Sequence, residues 1–154
     1  MPQPIIKSYQ MMIDFGIYPS GKFLLASLSS YPRYCGPREA VFTAICRKNM
    51  GCSHFIVGRN HAGVGDFYHD SEYRKIFDKL SDLGIIPVFF DAIGFNPKSK
   101  QYEKLKQGET MTISGSQVRG ALLKNEPLPE WFMRDMIQTM LKAAIKSGQP
   151  VFHP

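Results

Sequence analysis

Long apolar runs are missing from this chain. The longest, such as Ile85 to Phe90, are far too short to cross a bilayer, so no membrane partner is expected. Cysteine is scarce. Cys35, Cys46 and Cys52 are an odd number without a CxxC pair, which argues against a zinc site or a disulfide framework and for a reducing cytoplasm. No apolar signal core follows Met1 to Pro4, so a secretory peptide is not expected. Internal repeats and low-complexity tracts are absent too. Basic residues are scattered apart from the cluster Lys98, Lys100, Lys104 and Lys106, and no basic stripe with interleaved aromatics appears. A nucleic-acid partner is therefore not expected.

What remains is an ordinary globular composition. The 154 residues suffice for a single core, with 44% hydrophobic and 21% charged residues. Nineteen basic residues against thirteen acidic ones give a formal charge of +6, which serves solubility or an anionic partner such as a nucleotide or oxyanion.

Periodicity predicts an α/β chain. Ile5 to Phe15 has helical spacing of its apolar residues, and Tyr18-Pro19-Ser20-Gly21 breaks it. A short strand is expected over Lys22 to Leu28. Gly36-Pro37-Arg38-Glu39 opens a helix, with Pro37 suited to its first position and Glu39 to its first turn, and Asn49-Met50-Gly51 closes it. A second strand is expected at His54-Phe55-Ile56-Val57, an amphipathic helix over Ser71 to Leu83, and a third, wholly apolar strand over Ile85 to Phe90. Asn96 to Thr110 reads as a polar, lysine-rich loop. Ser114 to Leu123 starts a helix, and Glu130 to Ser147 supplies one or two more. The alternation predicts a small parallel sheet with helical crossovers, an α/β part over residues 1–112 and C-terminal helices over 113–154.

Ligands of an open parallel sheet gather at the carboxyl ends of its strands. Gly58-Arg59-Asn60-His61-Ala62-Gly63 follows directly on the strand ending at Val57. Gly58, Gly63 and Gly65 let backbone approach a ligand and present N–H groups to it. Arg59 brings a planar cation suited to phosphate or sulfate, and His61 a donor for an oxyanion. Further on, Ile113-Ser114-Gly115-Ser116-Gln117-Val118-Arg119 sets hydroxyls and a glycine at a helix start, where free N–H groups favour anions. Plain N-capping by Ser114 or Ser116 is the more common cause of such a pattern, and the two readings can hold together. Arg38 is placed to line the site or to pair with Glu39. Cys35 has no neighbour that marks a nucleophile and reads as structural.

These segments together resemble ATP sulfurylase, a family of the HxGH-type nucleotidyltransferases. The resemblance rests on Arg33-Tyr34, Gly36-Pro37-Arg38-Glu39-Ala40, Arg47-Lys48-Asn49, Gly51-Cys52, His54 to Arg59 and His61-Ala62-Gly63. It continues through Ile113 to Ser116, Val118-Arg119 and Leu128 to Arg134, spanning nearly the whole chain. It implies a partial Rossmann-like sheet and adenylyl transfer from MgATP to sulfate, giving adenosine 5′-phosphosulfate and pyrophosphate, with no protein-bound metal. By the same resemblance Arg59 and His61 would be catalytic. Gly58, Arg59, Asn60, His61, Ile93, Ser114, Ser116 and Arg119 would contact the nucleotide, and Arg59 with the Ala62 N–H would hold sulfate.

The chain also departs from the family. Asn60 stands where the family has Asp, and Thr43 where it often has His. The QxRNPxHxxH element, which provides the glutamine and arginine for sulfate and two transition-state histidines, is not in the sequence. The histidines present are His54, His61, His69 and His153, with no His-x-x-His among them. The match begins just before the family's third sheet strand. In the order 3-2-1-4-5 the first two strands would be interior, so exposed strand edges would need a second chain, self-association or a rearranged sheet. Two readings follow: an enzyme half-site completed by a complementary part, or a non-catalytic module that binds nucleotide or anion. Another tetrahedral dianion, selenate or molybdate, would fit the same charge and geometry as sulfate.

Overall fold

A computed structural model describes residues 2–152; Met1, His153 and Pro154 lie outside the described residues. In chain order the elements are α1 (Pro2–Asp14), α2 (Pro37–Asn49), β1 (His54–Val57), α3 (Asp70–Asp78), β2 (Ile86–Phe89), β3 (Ile93–Asn96), β4 (Gln101–Lys104), α4 (Gly115–Leu123) and α5 (Asp135–Lys146). They form two compact units. One is Ser29–Thr110; the other joins the N-terminal segment through Leu28 to the chain from Met111 onward.

The unit Ser29–Thr110 is built on a β–α–β crossover. β1 and β2 run parallel in the register His54↔Ile86 to Val57↔Phe89, with α3 as the connection. Alternation along β1 turns Phe55 and Val57 inward and leaves His54 and Ile56 to solvent. The inward face packs against both helices. Ala40, Val41 and Ala44 of α2 are small enough for close approach, and Tyr73 and Phe77 of α3 fill the remaining volume with Ile85. Phe77 meets Phe89 edge to face, with centroids 5.9 Å apart. α2 begins as expected: Pro37 supplies the fixed φ of its first turn, Glu39 sits in that turn, and Arg47 and Lys48 lie in the last one.

The expected α/β class, parallel pairing and C-terminal helices are present, but two segments differ from expectation. Lys22 to Leu28 forms no strand. Leu24 is 87% exposed, and Phe23 stacks on Tyr18 with centroids 4.1 Å apart. Strand hydrogen bonds must come from a neighbour, and an apolar segment without one has no reason to extend. The parallel sheet accordingly has two strands rather than three.

The second difference is the lysine-rich segment, which contains an antiparallel hairpin of β3 and β4. Asn96 makes the turn. Its side-chain oxygen accepts the Lys98 N–H at 2.9 Å, its carbonyl accepts the Lys100 N–H at 2.8 Å, and Lys100 takes a left-handed φ of 57°. Phe95 and Tyr102 then face each other across the pair, and Lys104 reaches Asp91 at 2.8 Å.

The helical unit gathers Leu122, Leu128, Ile137, Leu141 and Val151, with Met11 and Met12 of α1 and Val118 of α4 against them. No helix among the described residues is long and apolar enough to cross a membrane. One buried polar side chain organises this unit. Gln138 of α5 accepts the Leu128 N–H at 2.8 Å and donates to the carbonyls of Leu128 (2.8 Å) and Met133 (2.7 Å). It thereby satisfies the backbone of the turn between α4 and α5. Gln138→Leu keeps the volume but orphans those groups, and a loss of roughly 2–4 kcal/mol of stability is expected in urea unfolding. A change below about 0.5 kcal/mol would show that the turn finds other partners.

Candidate nucleotide and anion site

The segment Gly58 to Gly65 leaves the carboxyl end of β1, the position at which parallel sheets collect ligands. It is a tightly wound loop. Asn60 (φ 48°), Ala62 (φ 52°) and Gly65 (φ 50°) all occupy the left-handed region. Asn accepts that region readily. Ala does so at a cost of about 1 kcal/mol, so surrounding bonds must hold it there.

Those bonds are present on three sides. The Gly36 N–H donates to the Ala62 carbonyl at 3.0 Å, the Tyr73 hydroxyl to the His61 carbonyl at 3.0 Å, and the Gly63 N–H to the Asn60 carbonyl at 3.0 Å. The Asn60 amide donates to the Gly65 carbonyl at 2.7 Å, and its oxygen lies 3.3 Å from the Tyr73 hydroxyl. Glycine is required twice. A Cβ on Gly63 would collide with the Asn60 side chain, and one on Gly36 (φ 53°) with the Tyr68 ring.

Arg59 makes no ion pair or hydrogen bond among the described residues, and it stands between two openings. A crevice of 220 Å³ lies at the ends of β1 and β2, bordered by Gly58, Arg59, Tyr73, Arg74, Phe90 and Asp91. A more open cleft of 690 Å³ lies along the loop, bordered by Arg59, Asn60, Gly65, Tyr68 and His69. Arg74 borders the crevice with its guanidinium over the Phe89 ring, 4.5 Å from the centroid. Two carboxylates, Asp70 and Asp91, also line the crevice, and Lys104 beside Asp91 holds that one below its usual range.

His61 points back toward the sheet, its ring edge to face with Phe55 at 5.5 Å. Burial lowers its pKa from the ordinary 6.5, although the Glu39 charge acts the other way, so the imidazole is neutral at pH 7. Ile93 begins β3 just beyond the crevice and is 59% exposed, an apolar surface available to a ligand.

Two of the expected roles change. Glu39 does not serve Arg38. Its carboxylate accepts the backbone N–H groups of Arg33 (3.1 Å) and Cys35 (3.0 Å), which hold it below the usual carboxylate range. Arg38 instead borders a separate groove with Lys75 and Lys79. Sequence reading also missed Tyr73 and Arg74. The signal was available, because the first turns of a crossover helix lie at the carboxyl ends of the strands it joins.

Ser114, Ser116 and Arg119 belong to the helical unit. Ser114 caps α4: its hydroxyl accepts the Gln117 N–H at 3.2 Å, while the Gln117 side chain accepts the Ser114 N–H at 2.8 Å. Arg119 turns back one helical turn and donates to the Ser116 hydroxyl at 3.3 Å. Both the capping arrangement and the cation at the helix start are therefore present in α4.

Comparison with known proteins bears out the resemblance. The family model for ATP-sulfurylase matches residues 2–144. A sulfate adenylyltransferase of Symbiobacterium thermophilum is 38% identical over 153 residues, covering 93% of this chain and 38% of the relative. One from Carboxydothermus hydrogenoformans is 40% identical over 149 residues, covering 92% of this chain and 39% of the relative. The chain thus spans less than two-fifths of these curated relatives. Among solved structures, the hexameric APS kinase from Thiobacillus denitrificans superposes with a TM-score of 0.69 at 18% identity. It covers 95% of this chain and 27% of that one, a likeness of fold.

The environment of His61 has a measurable consequence. Its NMR titration midpoint should fall below 6.5. A depressed imidazole contributes its stability in full above pH 6.5 and loses it as pH falls through the folded value. Thermal stability should therefore drop on acidification below pH 6.5, and His61→Asn should flatten that part of the profile. A midpoint at or above 6.5 would contradict the half-buried, neutral ring.

Proposed function

The chain belongs to the ATP-sulfurylase family, and we propose that it supplies the nucleotide- and sulfate-binding wall for adenylyl transfer from MgATP to sulfate. In that reaction a sulfate oxygen bonds to the α-phosphorus while the bond from that phosphorus to the bridging oxygen breaks. Adenosine 5′-phosphosulfate and pyrophosphate are the products. No covalent intermediate on the protein is needed, so the work is positioning and charge compensation. Arg59 neutralises the approaching anions, the Ala62 N–H holds sulfate, and neutral His61 donates to phosphate oxygen. Gly58 and Asn60 bring backbone close to the nucleotide, and exposed Ile93 offers an apolar surface to it. Ser114, Ser116 and Arg119 are carried over as phosphate contacts on the family resemblance alone.

The observation that carries this reading is a permanently charged Arg59, free of protein partners among the described residues, on a loop fixed at the carboxyl end of a parallel strand. The 154 residues contain no His-x-x-His. By the family resemblance, the QxRNPxHxxH element is what would stabilise the departing pyrophosphate, and it is not among these residues. A second reading, binding without turnover, is favoured by Asn60, whose amide is engaged inside the loop.

Calorimetry and a sulfate-dependent pyrophosphate assay on the 154-residue chain test the proposal. Micromolar binding of ATP and adenosine 5′-phosphosulfate is expected, with little turnover by the chain alone and with turnover restored when a segment bearing the QxRNPxHxxH element is supplied. Arg59→Ala should weaken both ligands about tenfold, the loss of a charge-assisted contact. Binding that persists without turnover after complementation would favour the second reading. Failure to bind either ligand would sink both.

A further inference from the structure

We propose that Tyr73 is a positioning residue for the anion, acting through the peptide bond between His61 and Ala62. This rests on the reading above, in which the Ala62 N–H holds sulfate. In a trans peptide the carbonyl and the N–H point in opposite directions, and they turn only together. Among the described residues no peptide is cis. The His61 carbonyl accepts the Tyr73 hydroxyl at 3.0 Å, so the Ala62 N–H of the same peptide faces away from Tyr73. The side chain therefore sets the direction of a backbone donor it never touches.

The hydroxyl has one hydrogen and two acceptors within reach, the His61 carbonyl at 3.0 Å and the Asn60 side-chain oxygen at 3.3 Å. The shorter contact is the principal one. Tyr73 is 2% exposed, so water has little access to replace it. Burial also raises the phenol's pKa, which keeps the hydrogen in place across the working pH range. On the far side of Ala62 the Gly36 N–H grips the next carbonyl at 3.0 Å. Ala62 is held at both flanking peptides in a conformation that alanine does not favour (φ 52°). Without the phenolic hydroxyl, one of those two restraints is gone. The His61–Ala62 peptide is then free to rotate toward an ordinary φ, carrying the donor away from the anion.

Tyr73→Phe removes that hydrogen bond and preserves the ring packing. The informative comparison is between AMP and adenosine 5′-phosphosulfate, which share the adenylate and differ by the sulfate. Calorimetry on the full chain should show AMP affinity within about twofold of wild type. Affinity for the sulfated ligand should fall about tenfold, the size expected for a misdirected hydrogen bond to a charged group. The Ala62 amide should also exchange with deuterium faster in the variant. An unchanged ratio of the two affinities would overturn the role of Tyr73 while leaving the binding reading intact. In the wild type itself, the Ala62 amide resonance should move with adenosine 5′-phosphosulfate and stay put with AMP. That measurement does not depend on the variant folding. A silent Ala62 amide would overturn the inference, and failure of the wild type to bind either nucleotide would overturn the functional reading beneath it.

Discussion

Two successive carbonyls in the loop after β1, those of His61 and Ala62, are gripped from different elements by the Tyr73 hydroxyl and the Gly36 N–H. Tyr73 comes from α3 and Gly36 immediately precedes α2, so the loop is fastened to both helices that cover the sheet. The same two anchors serve the core. Tyr73 is among its most buried side chains, and Gly36 gives the left-handed turn from which Pro37 starts α2. Loop conformation and core packing are therefore coupled: a shift of either helix would move the carbonyls and, through peptide planarity, the N–H groups opposite them.

That coupling explains how such a small sheet can present a defined site. Strands of four residues contribute little pairing, and β1 and β2 make the only parallel pair among the described residues. The rigidity comes instead from α2 and α3 packing on one face through Ala40, Ala44, Tyr73 and Phe77. With the crossover fixed, chain direction alone delivers Arg59 after β1, Arg74 in α3 and Asp91 after β2 to the same crevice. The Lys104–Asp91 ion pair tempers one of the two carboxylates that line the crevice, Asp70 being the other. The pair is well exposed, so its weight lies in local charge balance more than in stability.

Much of this was legible in the residues. Pro37 and Glu39 marked the start of α2, the run His54 to Val57 marked a strand, and the glycines after Val57 marked a close approach of backbone. The misses have separate physical causes. Lys22 to Leu28 has strand composition, but pairing is a property of neighbours and not of composition. The hairpin at Ile93 to Lys104 buries little, so periodicity was weak; its signal lay in Asn96-Pro97, a turn dipeptide. Tyr73 looked like one more apolar position on an amphipathic helix. Its ring does occupy that position, and only the fold brings the hydroxyl at its tip against the His61 carbonyl.

Asn60 shows how one side chain can set the closure and charge of the loop. An aspartate at this position has acceptors only. Facing the Gly65 carbonyl at 2.7 Å, it would set oxygen against oxygen, and the contact would become repulsive. The carboxylate would keep only the Tyr73 hydroxyl as a donor and lose the tie to Gly65. An asparagine has a donor and an acceptor, and here it uses both within the loop, toward Gly65 and Tyr73. The amide nitrogen thus makes this side chain an internal fastener of the loop. It also removes a negative charge beside Arg59, which strengthens the attraction of the loop for anions. In this chain the loop is more tightly closed and more positive than an aspartate would leave it, a combination suited to holding an anion in place.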